Sequence, residues 1–260
     1  MRGVLAARIA FGLAVALCVA AGCGRAADVR DDPVAGLSAG PSVTPSPTIA
    51  AAAALAAAAR KLNEQTLTVA VVTRGEMVVH GDVDPVARKA RVIVSVIGAR
   101  PTVGMELILA DGVMHAKVAQ MPGVPYRWMR MDGKTLSGTH LDVLPDEDPA
   151  GASQLLAGLV SAEPDGHGGF RGTLDLTNGP TAAAYRLKGL GDKAKAVPFT
   201  ARVNDRGQLT LLDVDLETVV PGVRNIKAQY SGFGQPVTVT PPPAAETIDA
   251  PADVVARLKG

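Results

Sequence analysis

Several stretches of the chain carry residue types that could do chemistry. Gly36-Leu37-Ser38-Ala39-Gly40 has the G-x-S-x-G spacing of a serine nucleophile. That pattern works only where a strand, a sharp turn and a helix strain the serine into the open. Here it lies among prolines with neither element beside it, so it reads as a chance match. His167-Gly168-Gly169 shares the order of part of an oxyanion loop, but a glycine-rich turn is the plainer reading. His80, His115, His140 and His167 are scattered, and none stands at the H-x-x-x-H spacing of a metal site. Asp142, Asp146, Glu147 and Asp148 lack the spacing of a calcium loop and read as a solvated acidic loop. No catalytic set, metal or cofactor is expected, and the chain does not read as an enzyme.

Cys23 offers a different chemistry. Arg2 and Arg8 open the chain, and Ile9 to Ala21 is an apolar run. That run is too short to span a bilayer comfortably and reads as a signal peptide over residues 1–22. It closes on Val19-Ala20-Ala21-Gly22-Cys23, which is similar to the bacterial lipobox, although Ala20 stands where leucine is usual. The resemblance implies diacylation of the Cys23 thiol; ordinary secretion with an incidental cysteine is the alternative. Cys18 would leave with the signal, so Cys23 would be the one cysteine of the mature chain and no intramolecular disulfide could form. Two acyl chains anchor well, because each buried CH₂ contributes about 0.8 kcal/mol.

Lys plus Arg number 26 against 25 Asp plus Glu, a balance that disfavours a nucleic-acid partner. Aromatic residues make up only 3%, which disfavours stacking platforms for bases or sugars. Residues 23–47 hold the lipidation site and a Pro-, Gly- and Ser-rich tether without hydrophobic period. Such a tether spans roughly 25–30 Å.

The elements that follow are mostly strands. Thr48 is placed to cap a helix from Ile49 to about Asn63, with Leu55, Ala59 and Leu62 on one face. Thr66–Val71, Met77–Val83, Lys89–Ile97, Val103–Leu109 and Val113–Val118 read as an antiparallel meander, with Asp111-Gly112 as a tight hairpin turn. Tyr126–Met131 reads as a sixth strand. A helix is expected after Asp148-Pro149, striped by Leu155, Leu156, Leu159 and Val160, and broken at Pro164–Gly169. A strand over Phe170–Leu176 and a short helix over Thr181–Leu190 come next. Strands over Pro198–Val203, Leu209–Leu216, Asn225–Tyr230 and Val237–Thr240 follow, then Pro241-Pro242-Pro243 and a loose helix carrying Val254, Val255 and Leu258. The two β-rich halves hint at one continuous sheet.

This order of elements resembles the mycobacterial LppX/LprAFG lipoproteins, which are related in fold to the LolA-like lipid carriers. The residues that carry the likeness are Ala110-Asp111-Gly112-Val113-Met114-His115-Ala116-Lys117, Tyr126-Arg127-Trp128-Met129-Arg130-Met131, Val197 to Val203 with Asp205-Arg206-Gly207-Gln208-Leu209, and Tyr230 to Val239. The resemblance covers about Ala50 to Pro243. It implies an α+β fold: a curved antiparallel β-sheet, a half-barrel, with helices covering the concave face. The lipid-binding domain would run over residues 48–243 and a C-terminal tail over 244–260. It implies an apolar cavity between sheet and helices that takes an acylated lipid or glycolipid.

Physical chemistry is consistent with that. Moving some 30 CH₂ groups bare through water costs on the order of 20 kcal/mol, so a carrier must enclose them. The candidate lining is Val69, Val71, Val92, Val94, Met105, Leu107, Met114, Ala116, Leu155 and Leu159, with the two methionines able to adapt to a varied ligand. The alternative is that the same residues make a filled core. The function expected is lipid binding and transport across the envelope by a monomer, anchored on the extracytoplasmic face of the cell membrane and served by an export transporter. The rival is an envelope interaction or sensory lipoprotein that docks a protein partner.

Overall fold

A computed structural model describes residues 47–73, 77–97, 99–139, 141–145, 148, 151–177, 187–219 and 225–259. The signal peptide, Cys23, the tether with Ser38, His140, Asp146, Glu147 and residues 181–186 of the helix expected over Thr181–Leu190 lie outside the described residues; the rest of that helix, 187–190, falls in a 3-10 helix, Leu187–Lys195.

The fold is α+β and, among the described residues, consists mainly of one large, open, curved, mostly antiparallel sheet of 12 strands. In chain order these are β1 (Leu67–Thr73), β2 (Met77–Asp84), β3 (Lys89–Val96), β4 (Val103–Ala110), β5 (Val113–Ala119), β6 (Trp128–Asp132), β7 (Leu159–Pro164), β8 (Gly169–Leu174), β9 (Val197–Val203), β10 (Leu209–Val214), β11 (Ile226–Ser231) and β12 (Thr247–Asp249). Across the sheet they run β12-β6-β5-β4-β3-β2-β1-β11-β10-β9-β8-β7. Short turns join the strands of the first meander; Asp111 (φ 52°) and Gly112 (φ 77°) supply the two left-handed residues of the β4–β5 turn. The two β-rich halves join where β1 pairs with β11.

Register explains why one face is apolar. Directly paired residues share a face. One row across the pairs runs Val69, Gly81, Val92, Leu107, Ala116 and Met129. A neighbouring row runs Val79, Val71, Ala228, Leu212, Ala201 and Phe170. Each strand alternates, so the opposite face receives the polar side chains. That face carries the ion pairs Arg91–Glu106 (2.6 Å), Arg130–Asp249 (2.7 Å) and Arg171–Glu163 (2.8 Å). Exposed pairs of this kind contribute about 0–1 kcal/mol each, so they set register more than stability.

Helices cover part of the apolar face. Helix α1 (Pro47–Leu62) buries Ala51, Leu55, Ala58, Ala59 and Leu62, a stripe at i, i+4, i+7, i+8 and i+11. It packs on β7, β10 and the short helix α2 (Ala152–Leu156). Its small residues allow close approach, and the Lys61 ammonium donates to the Arg206 carbonyl at 2.7 Å, tying its end to the β9–β10 turn. The C-terminal helix α3 (Ala252–Lys259) is docked rather than loose: Val254 and Leu258 are buried in the same apolar cluster as the sheet.

Four local expectations are corrected. The first helix starts at Pro47, so Thr48 lies inside it. The helix expected through Val160 stops at Leu156, because Gly158 lies against the Asp175 carbonyl, where no Cβ fits, and the chain turns into β7. Leu159 is thus a strand residue paired with Leu174, and Val160 points to solvent. Residues 237–240 form no strand. Their chain connects β11 to β12 on the far side of β6, so it travels across the strands rather than along one, and its prolines lack the N–H a ladder needs. Finally, residues 247–249 add β12, parallel to β6, too short to show an alternating pattern.

A contrast between two strand glycines tests this packing. A Cβ on Gly81 would meet the Arg91 carbonyl oxygen and lie 2.7 Å from Val92 Cα, whereas on Gly104 it would find only Ala119 Cβ at 3.9 Å. Thermal melts are expected to show Gly81→Ala destabilised by about 1–3 kcal/mol. Gly104→Ala is expected to be neutral or stabilised by up to about 1 kcal/mol. Equal effects would contradict the register.

Candidate functional site

The apolar face is not filled everywhere. Over β1–β4 lies a cavity of about 150 Å³. Its floor is Leu67 and Val69 of β1, Met77, Val79 and Val83 of β2, Val92 and Val94 of β3, and Leu107 of β4. Its cover is irregular chain: Leu141, Asp142, Val143, Pro145 and Gly151. Among the described residues Asp142 is the one ionisable residue in this lining, and its carboxylate accepts the Gly138 N–H at 2.9 Å.

A second cavity, of about 330 Å³, adjoins the first at Asp142. Leu109, Met114 and Leu144 give it an apolar base, and Arg88, Asp132, Lys134 and Ser137 give it a polar wall. Arg88 ends the β2–β3 turn in the left-handed region (φ 53°), and its Nη2 donates to the Leu144 carbonyl at 3.0 Å.

The ten candidate residues distribute unevenly. Val69, Val92, Val94 and Leu107 line the first cavity, and Met114 lines the second. Val71 and Met105 lie on the same face in the next row; Met105 is buried and Val71 half-buried. Ala116 is buried beside Leu107 and reaches neither cavity. Leu155 and Leu159 are half-buried on α2 and β7, packed on the core outside both linings. Sequence reasoning missed Leu67, Met77, Val79 and Val83, whose strands it placed but whose facing depends on the β1–β2 register. It also missed the covering segment, which has no periodic signal.

A buried polar cluster sits close by. Asp148 is only 2% exposed, so it is not a solvated loop residue. Its carboxylate accepts the Gln154 N–H at 2.7 Å and Asn63 Nδ2 at 3.3 Å, joining the first turn of α2 to the end of α1. Tyr230, paired with Val69, is buried; burial first, and the Asp148 charge second, push its hydroxyl well above the usual phenol range. Asp165 accepts the N–H groups of His167 (2.7 Å) and Gly169 (2.9 Å), so the His-Gly-Gly stretch is the β7–β8 hairpin turn.

What this arrangement can do chemically is hold an apolar group. An apolar space of about 150 Å³ accepts a molecule the size of benzene. No protein-family model matches the chain, and no curated protein matches its sequence.

On the opposite face, His115 is buried and its Nδ1 has no hydrogen-bond partner. Burial lowers its pKa below the ordinary 6.5; a hydrogen bond with the Ile108 backbone opposes this, and nearby Arg130 adds to it. The unfolded chain therefore binds the imidazole proton more readily than the folded one. The stability held by neutral His115 is full above pH 6.5 and is lost as pH falls from there towards the folded value. Denaturant melts across this window are expected to show a steeper acid-side decline in the native protein than in His115→Gln; identical profiles would contradict the burial of an uncharged ring.

Proposed function

We propose that this chain is an envelope lipoprotein, anchored through Cys23 on the extracytoplasmic face of the cell membrane. It binds an acylated lipid or glycolipid on the apolar face of its sheet and aids transport of that lipid across the envelope. On this reading the curved sheet is a LolA-like half-barrel of the LppX/LprAFG kind, with α1, α2 and α3 across its concave side. The observation that carries the reading is the aliphatic cavity over β1–β4, floored by eight apolar side chains and covered by loop rather than helix. Part of this face is left uncovered: Val69, Met77 and Val79 of the floor, and Val71 beside them, remain half-buried. Catalysis has no part in this reading.

Size favours one acyl segment rather than two. About 150 Å³ lies below the roughly 300–1,000 Å³ of common ligand sites, so a larger lipid would have to displace the cover. The same small volume favours a second reading, in which the interior is essentially filled and the molecule docks a protein partner.

Native mass spectrometry of the full chain extracted from membranes separates the two. Co-purifying lipid is expected, and Val92→Phe, which fills the cavity, is expected to lose it. Lipid-free protein in both forms, with a bound protein instead, would support the partner reading. Cys23→Ala is expected to leave the membrane fraction; retention there would contradict the anchor.

A further inference from the structure

We infer that the connections at one end of the sheet form a docking surface for an anionic lipid bilayer. Docking there holds the thinly covered end of the apolar face against the membrane. This deepens the lipoprotein reading and rests on it.

Register brings three segments together. Val96 pairs with Val103 and Gly104 with Ala119, so the β3–β4 and β5–β6 connections leave the sheet side by side. In the last turn of α3, Arg257 Nη1 donates to the Pro122 carbonyl at 2.8 Å, which seats that helix end on the β5–β6 connection. The surface so formed is both apolar and basic. Ile97 is 50% exposed and Tyr126 67% exposed, and Met121 and Val124 are half-buried beside them. Arg100, Arg127, Arg257 and Lys259 are all exposed. Among the described residues these segments (97, 99–102, 120–127 and 256–259) hold no carboxylate, and none of the four cations makes an ion pair. Lys117, the register partner of Glu106, stands 4.6 Å from the centroid of the Tyr126 ring and braces it at the rim.

Charge decides the partner. An ordinary protein surface offers both signs, whereas four cations without a carboxylate match a surface that is uniformly negative. An exposed tyrosine among cations also suits the level of the lipid headgroups, where the ring is half in hydrocarbon and the cations meet anionic lipid.

The position gives the docking a use. Met77, Val96 and Val103 form one row of the apolar face at this end of the sheet. All three are half-buried, and Met77 belongs to the cavity floor. An acyl group entering or leaving by this end passes between bilayer and protein with little exposure to water.

The test uses the full chain reconstituted in vesicles and reads Trp128, the one tryptophan of the sequence, which follows Tyr126 and Arg127 directly. The vesicles mix phosphatidylglycerol with phosphatidylcholine, and their acyl chains carry bromine near the headgroups to quench a nearby indole. Quenching is expected, and is expected to fall about threefold or more in phosphatidylcholine alone, in roughly 1 M salt, and in the double variant Arg100→Glu with Arg127→Glu. Tyr126→Ser is expected to weaken it, and Val86→Ser is expected to leave it unchanged. Val86 is 70% exposed in the β2–β3 turn, at the other end of the sheet. All these side chains are exposed, so none of the substitutions removes core packing. Quenching that ignores the double variant refutes the docking surface, as does an equal loss from Val86→Ser. Absent quenching in the mixed vesicles also refutes it and leaves the cargo reading to the native mass spectrometry above. Quenching as expected in a protein that carries no lipid keeps the docking surface and removes the cargo.

Discussion

One side of a twelve-stranded sheet is apolar almost from edge to edge, and water must be kept from it. Most other features answer that constraint. At roughly 25 cal/mol per Å² of apolar surface, leaving such a face open would cost more than a domain's whole net stability of about 5–15 kcal/mol. The alanine-rich face of α1 covers one half of the sheet, and α3 adds Val254 and Leu258 to the same cluster. Between them the cover is a loop segment, which brings few side chains. That is where the packing leaves space. The space of about 150 Å³ is partly open to solvent, so its aliphatic lining is neither packed nor sealed from water. An apolar guest there would cover surface that water otherwise wets, at roughly 25 cal/mol per Å² gained.

The opposite face follows from the same alternation. Charged pairs lie across neighbouring strands, and Lys117 stands 4.6 Å from the Tyr126 ring and 5.8 Å from Trp128. Its exceptions are local. Ile108, His115 and Trp128 are buried there, so a part of this face is also covered. His115 shows the consequence: a titratable ring shielded from water favours its neutral form.

Much of the sheet was legible because its signals are local. Asp111-Gly112 specifies its own turn, and runs such as Lys89–Val96 alternate with period two. The same alternation put Val69, Val92, Val94 and Leu107 on the cavity side. What escaped depends on distant partners. Leu159 reads as helical by spacing but is claimed by Leu174 of β8. Thr247–Asp249 becomes a strand only because β6 offers an edge. Asp148, in an acidic run, is buried because Asn63 and Gln154 supply its donors. The covering segment 141–145 has no periodicity, so nothing local could mark it as the boundary of a cavity.

The central claim is that the space over β1–β4 is open to an apolar guest. A crystal of the protein pressurised with xenon tests this without reference to any particular lipid. The account predicts xenon density among Val69, Val92, Val94 and Leu107. Side chains closed over that position, or ordered water hydrogen-bonded within it, would contradict the account.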